Sequence, residues 1–355
     1  MVGNSKKMDE NNKLKILNIL GGTKQGGAEK FFERLSFALE KKKNINLQLI
    51  IRKNEERFTF LNKKIKTIHQ IKNFYFFNPF CHKKIADIIH NFQPNIVLSW
   101  MNRASKILPK SKGWINIGRM GGYYKIKNYV NCDFIITNTS DLKSFVIESG
   151  WDSKKVEFIP NFVTTNNRTI KKKKQISSKI ILCLARFHRN KGIDILLKAM
   201  TYLNGYNLMI VGEGNEKKYY DLLVKKHGLE EKVFFYEWTN NISEYLNFAD
   251  ILVCPSRHEP FGNVVIDGWA HKIPVVVSDT GGPGALIKSK INGLKFKNED
   301  FFDLIEKIKF LESKKTLAKK IVNNGYKDFK SNFSEEFIIN KYINFFEKIK
   351  KQCVG

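Results

Sequence analysis

The sequence predicts an α/β chain built as two doubly wound parallel sheets with a cleft between them. Three observations carry this. Short apolar runs alternate with amphipathic stretches of helical period. The alternation stops in a polar, non-periodic segment and then starts afresh. Glycine-rich loops follow several of the predicted strands, where open α/β sheets bind their ligands. A chain of 355 residues with 42% hydrophobic content has enough material for two cores.

The first half reads in order. Residues 1–12 form a polar lead, and Leu14–Leu20 is a strand. Gly21-Gly-Thr-Lys-Gln-Gly-Gly27 is a glycine loop opening a helix over Ala28–Lys43, with Phe31, Phe32, Leu35 and Leu39 on one face. Ile45–Ile51 is the next strand, which completes a βαβ start. A helix near Pro79–Phe92 follows, then strands at Asn95–Ser99, Trp114–Ile117 and Phe134–Thr137. Helix Ser140–Ser149 and strand Val156–Ile159 close this half.

Pro160–Ser178 is the expected boundary, giving domains over 1–165 and 166–335 with a closing helix over 336–355. In the second half, strand Ile180–Leu184 leads to helix Ile193–Tyr202, and strand Asn207–Val211 to a helix ending at His227. Strand Val233–Tyr236, helix Ile242–Phe248 and strand Asp250–Cys254 come next. Strand Ile273–Val277 is followed by Gly281-Gly-Pro-Gly284, and helices close the chain from Phe301 onward.

Glu259-Pro-Phe-Gly-Asn-Val-Val-Ile-Asp267 is the stretch with the most chemistry. It places an acid on a loop after a strand, then a tight turn that opens a helix. Eight positions at 3.6 per turn bring Asp267 back near the face of Glu259. Two acids around a helix start with free N–H groups suit a hydroxyl-rich, anionic ligand such as a sugar nucleotide.

Ala185-Arg186-Phe-His-Arg-Asn-Lys191-Gly192 leaves the strand at Ile180–Leu184. A guanidinium and an ammonium set there answer the charge that builds on a departing pyrophosphate. The bland alternative is a solvated basic loop. Gly26-Gly27-Ala28-Glu29 lets backbone approach a phosphate, or is only a tight turn. Gly212-Glu213-Gly214 after a strand is weak by itself. Arg119-Met-Gly121-Gly122 ends a strand, and Arg119 is read as contacting acceptor or phosphate, or as part of a structural loop. Phe74-Tyr-Phe-Phe-Asn-Pro-Phe80, flanked by Lys72, Lys83 and Lys84, is either a core segment or an interfacial patch.

The net charge is +28, leaning to the first half. Such a field attracts nucleic acid, anionic lipid or phosphorylated substrates; compositional bias is the plain alternative. Five cysteines without a Cys-x-x-Cys pair fit reduced, mostly buried thiols in a cytoplasmic protein. No apolar run approaches the ~20 residues of a membrane helix. The seven histidines show no metal-ligand spacing, and no Asp-x-Asp, Gly-x-Ser-x-Gly or Walker loop is present.

These motifs together resemble the retaining glycosyltransferases of family 4, with the GT-B fold of two Rossmann-like domains facing a central cleft. Ser256-Arg-His-Glu259-Pro-Phe-Gly-Asn263 is the most specific piece, and Ala185-Arg186 to Lys191-Gly192 looks like the family's Gly-Arg-x4-Lys-Gly. Val211-Gly-Glu-Gly214 and Ile159-Pro-Asn161 add to it. The family usually has Glu-x7-Glu, and here the second acid is Asp267, one methylene shorter; the usual glycine before the arginine is Ala185.

The resemblance implies Glu259, Arg186 and Lys191 as the catalytic group. Arg186 and Lys191 would neutralise the donor diphosphate and Glu259 would bind the donor sugar. Phe261, Gly262, Asn263 and Val264 would present backbone, and Asp267 would hold the ribose. Trp238 would lie near the base, with Gly212 and Gly27 in the donor site. Arg119 stays the acceptor-side candidate. The closing helix would cross back to the first domain.

The implied activity is metal-independent, cofactor-free transfer of a hexose, with retention, from a nucleotide diphosphate-sugar. The acceptor would be a glycan or lipid-linked molecule in cell-envelope polysaccharide or lipopolysaccharide-type synthesis. The protein would be cytoplasmic, at the inner face of the membrane, with peripheral association to anionic lipid and no nucleic acid partner. The rival readings are a sugar-nucleotide epimerase of the same architecture and a basic nucleic-acid-binding protein.

Overall fold

The computed structural model describes residues 13–23, 26–72, 74–75, 77–164, 178–239 and 241–354. Its contacts divide the chain into two compact units, one running to Asn161 and resuming at Glu335, the other spanning Phe162–Ser334. The break therefore falls between Asn161 and Phe162, at the start of the polar segment. Most of that segment lies outside the described residues.

The first unit contains β1 (Leu14–Leu20), α1 (Gly27–Glu40), β2 (Ile45–Arg52), α2 (Glu55–Asn62), β3 (Ile68–Ile71), α3 (Pro79–Phe92) and β4 (Ile96–Trp100). It continues through α4 (Met101–Lys106), β5 (Ile115–Met120), β6 (Phe134–Thr137), α5 (Ser140–Glu148) and β7 (Val156–Phe158). The strands form one sheet in the order β3-β2-β1-β4-β5-β6-β7, every pairing parallel. Parallel strands covered on both faces read as near-continuous apolar runs, which is how β1 and β4 look in the sequence. Their buried polar atoms are paired: Trp100 Nε1 donates to Asn18 Oδ1 at 2.5 Å, and Asn18 Nδ2 donates to Ser36 on α1 at 3.0 Å.

The second unit runs β8 (Lys179–Leu184), α6 (Ile193–Met200), β9 (Tyr206–Val211), α7 (Lys217–Lys226), β10 (Val233–Tyr236), α8 (Ser243–Phe248) and β11 (Ile251–Cys254). Then come α9 (Asn263–Ala270), β12 (Val275–Ser278), α10 (Gly281–Leu286), β13 (Leu294–Phe296), α11 (Phe301–Ser313) and α12 (Lys315–Asn332). Its sheet order is β10-β9-β8-β11-β12-β13, again all parallel. Successive residues of β8 feed opposite faces: Ile181 and Cys183 join one apolar cluster, and Ile180, Leu182 and Leu184 the other. The expectation of two doubly wound parallel α/β domains is met in both units.

The last helix, α13 (Glu335–Val354), belongs to the first unit. Tyr342 and Phe346 are fully buried there.

Five elements were not anticipated: α2, β3, α4, α10 and β13. β3 is a four-residue edge strand with polar centre His69-Gln70, and β13 has only three residues. Runs this short carry no measurable period. α2 has little amphipathicity; its start is set locally by Asn54, whose side chain accepts from the Arg57 N–H at 2.8 Å.

Candidate functional site

In the second sheet the strand order reverses between β8 and β11, which lie side by side. Open α/β sheets bind ligands outside the strand ends at such a switch point. Two loops leave these ends, residues 185–192 after β8 and 255–262 after β11.

Backbone packing joins the two loops. Gly192 has φ +62°, ends a 3-10 turn over Arg189–Lys191 and starts α6. A Cβ at Gly192 would overlap the Pro255 carbonyl oxygen, so only glycine allows this approach. The N–H groups of Arg257 and His258 both donate to the Asn190 carbonyl, at 2.8 and 3.2 Å. The Arg257 guanidinium grips both carboxylate oxygens of Asp194 on α6, at 2.8 and 2.7 Å. It also donates to the Arg189 carbonyl at 2.8 Å and to Glu299 at 3.1 Å. Burial alone would raise the Asp194 carboxyl, but the Arg257 hydrogen bonds and charge outweigh it and hold the group below its usual range. Asp194 in turn pushes Arg257 upward.

This clamp brings Lys191 and Glu259 together as an ion pair, each side chain about one-fifth exposed (23% and 22%). Two expected site residues from separate loops therefore meet, and as mutual partners. Their charges reach the strand ends. Burial pushes the Cys183 and Cys254 thiols up; the Glu259 charge adds to this at Cys254, and Lys191 opposes it at both. Arg186 is exposed on the same loop as Lys191.

Gly262 has φ +91° and caps α9, a left-handed conformation that favours glycine. The Phe261 side chain is buried, while Asn263 and Val264 are half-buried in the first turn of α9. Asp267 is the fifth residue of α9 and only 6% exposed. The helical spacing expected to pair Asp267 with Glu259 does not do so: Glu259 lies on the loop, four residues before the helix begins. Any common face of the two acids comes from the loop's path and not from the 3.6-residue period.

Gly212 is buried against the Ala185 carbonyl, so the loop after β9 packs directly on the loop after β8. Trp238 is half-buried and packs on the apolar cluster beneath β8 and β11. In the first unit, Gly27 is the exposed first residue of α1. The Glu29 carboxylate folds back over the glycine loop. Its Oε1 lies 2.8 Å from where a Cβ on Gly22 would be, and its Oε2 2.6 Å from one on Gly26.

Arg119 departs from its acceptor-side expectation. It is 2% exposed, on β5. Its Nε donates to Tyr342 Oη of α13 at 2.8 Å, Nη1 to the Met120 carbonyl at 2.9 Å, and Nη2 to Asn161 Oδ1 at 2.8 Å and the Ile159 carbonyl at 3.3 Å. Its guanidinium also lies 5.5 Å from the Phe31 ring centroid and 5.7 Å from that of Trp100. A guanidinium engaged this way holds α13 to the sheet, the structural one of the two readings of Arg119.

Sequence reasoning missed Arg257, Asp194 and the Asn190 carbonyl, which set the Lys191–Glu259 geometry. Arg257 lies inside the Ser256–Asn263 motif, but nothing in its spacing names a partner 63 residues earlier. Among the described residues no group of three or more His, Cys, Asp or Glu side chains could hold a metal ion, and no helix is long and apolar enough to cross a membrane. The four cysteines whose side chains are described, Cys81, Cys132, Cys183 and Cys254, are free and buried.

A family model described as "Glycosyl transferases group 1" matches residues 166–328, nearly the whole second unit. The lipopolysaccharide core biosynthesis glycosyltransferase LpsE of Rhizobium meliloti is 27% identical over 330 residues, covering 90% of this chain and 95% of that protein. LpsD of the same organism is 26% identical, covering 94% and 98%. The crystal structure of Anabaena HepE in complex with UDP and glucose has a TM-score of 0.80 at 18% identity, covering 94% of this chain and all of that one. The lipopolysaccharide outer core galactosyltransferase WaaB, in its apo form, has a TM-score of 0.71 at 17% identity, covering 94% and 99%. The two structures share the fold. The family match and the sequence relatives support a glycosyltransferase enzyme.

Proposed function

We propose that this glycosyltransferase moves a sugar, with retention, from a nucleotide diphosphate-sugar to a glycan or lipid-linked acceptor of the cell envelope. The observation that carries the reading is the Lys191–Glu259 pair at the switch point between β8 and β11. A diphosphate entering there competes with Glu259 for the Lys191 ammonium. Lys191 and exposed Arg186 then take the phosphate oxygens, and Glu259 is released to accept hydrogen bonds from the sugar hydroxyls. The first turn of α9, at Asn263 and Val264, would present its backbone to the ligand at the positive end of the helix. Asp267 would take the ribose hydroxyls at the floor of the site, and Trp238 would lie near the base. The names of LpsE and LpsD support an envelope acceptor, and HepE with UDP supports a uridine nucleotide as the first donor to try.

In the proposed step the acceptor oxygen bonds to the anomeric carbon on the face that the diphosphate leaves. The carbon–oxygen bond to the β-phosphate breaks, and the acceptor proton passes to the departing phosphate oxygen. Charge builds on the diphosphate as it leaves, so preorganised cations lower the barrier. The chain's part is positioning and charge stabilisation.

The test is a thermal-shift screen of nucleoside diphosphates, followed by incubation of the best nucleotide-sugar with and without glycan acceptors. Transfer with an unchanged anomeric configuration by NMR supports the reading, and an inverted product removes retention. Rapid turnover of the donor alone into an epimeric sugar would favour the epimerase instead. Stabilisation by oligonucleotide and by no nucleoside diphosphate would favour nucleic-acid binding.

A further inference from the structure

The aromatic run at 74–80 is split by the fold. Phe74 is fully buried and anchors the segment in the first unit's core. Phe77 and Phe80 are 89% and 81% exposed, the two most exposed large apolar side chains among the described residues. Local structure fixes them outward. Asn78 caps α3, its Oδ1 accepting from the Phe80 N–H at 3.1 Å, with Pro79 in the first turn. Cys81, Ile85, Ile88 and Ile89 use the buried face of α3, which leaves Phe80, Lys83 and Lys84 on the outer stripe.

Lysines flank the two rings in sequence, and one lies over a ring. Lys72, Lys83 and Lys84 are exposed, and the Lys106 ammonium of α4 lies 5.7 Å from the Phe77 ring centroid. From Lys72 onward the first acid is Asp87, exposed on α3 one turn beyond Lys83 and Lys84. We infer that this tip docks the first unit on an anionic lipid bilayer, Phe77 and Phe80 entering the acyl boundary while the lysines face the lipid phosphates. Long lysine stems lie along apolar surface and keep their ammonium groups at the headgroup level. The size of the patch also favours lipid over a protein partner. Two rings present roughly 300–500 Å², well under the ~800 Å² per partner of a stable protein interface. This inference goes beyond the proposed transfer reaction and does not depend on it.

The experiment is co-sedimentation of the full chain with vesicles at about 0.1 M salt, where the Debye length is ~10 Å. Vesicles of phosphatidylglycerol and phosphatidylcholine in equal parts should bind the chain at least about tenfold more tightly than phosphatidylcholine alone, since each lysine near the surface is worth about fivefold. Phe77→Ser/Phe80→Ser should lower binding by about tenfold or more. Lys83→Glu/Lys84→Glu should lower it at least as far. Both double variants should melt with the wild type, because the altered side chains are exposed. Val130→Ser, at another exposed apolar residue of the same unit, should bind normally. Failure of the wild type to bind the anionic vesicles, or full binding by the double phenylalanine variant, overturns the inference. So does a dimer in sedimentation velocity that Phe77→Ser/Phe80→Ser dissolves, which would assign the face to a second copy.

Discussion

The Lys191 ammonium pairs with the Glu259 carboxylate across 68 residues of sequence, at the ends of two adjacent strands. Each group satisfies the other's charge, and the proposed reaction has Lys191 turn to a diphosphate and Glu259 to the sugar hydroxyls. The pair thus keeps two part-buried charges close without leaving either one bare.

Lys191→Ala should lower transfer by roughly 10²–10³, the cost of losing one donor to developing charge. Glu259→Gln keeps the side chain's shape and removes its charge, so it should weaken sugar handling while leaving nucleoside diphosphate binding nearly intact. Steady-state transfer rates beside calorimetric nucleotide affinities separate the two effects. Normal rates in Lys191→Ala would remove it from the machinery.

Arg257→Ala should destabilise the second unit by about 2 kcal/mol, the worth of hydrogen bonds to a charged group. For a unit of this size that is a Tm fall of roughly 4–8 °C. Arg257→Lys should not restore it, because an ammonium cannot engage both Asp194 oxygens. The Asp194 carboxyl is held below its usual range, so its contribution to stability is whole above about pH 4 and is lost as pH falls from there. Thermal melts from pH 7 to pH 3 should show the gap between wild type and Arg257→Ala closing at the acid end.

Gly192→Ala should cost about 2 kcal/mol or more, since φ +62° is strained for alanine and its Cβ meets the Pro255 carbonyl. Relief of that overlap must part the two loops. Nucleotide affinity should therefore fall along with Tm. A variant that melts early yet binds nucleotide normally would show that the approach of the loops is not needed for binding.

Tyr342→Phe removes the acceptor for buried Arg119 Nε and should cost about 2 kcal/mol. Hydrogen exchange should rise across α13, and nucleoside diphosphate binding by the second unit should be unchanged. Loss of acceptor use without any change in exchange would restore a ligand role to Arg119.

The two α/β halves were legible in composition and periodicity alone, because buried parallel strands must be apolar along their whole length and helices must repeat every 3.6 residues. The sequence also placed Arg186, Lys191 and Glu259 on loops after strands, since glycines and a sharp loss of periodicity mark such ends. It did not reach β13 or α10, which are too short to carry a period, or the contact between Lys191 and Glu259. That contact depends on Asn190, Asp194 and Arg257 meeting across the β8–β11 switch point, and a pairing between loops 60 or more residues apart leaves no trace in local spacing. Burial made the other decisions. An arginine at a strand end and a phenylalanine in an aromatic run look alike in sequence whether they face solvent or core, and only packing showed Arg119 inside and Phe77 and Phe80 outside.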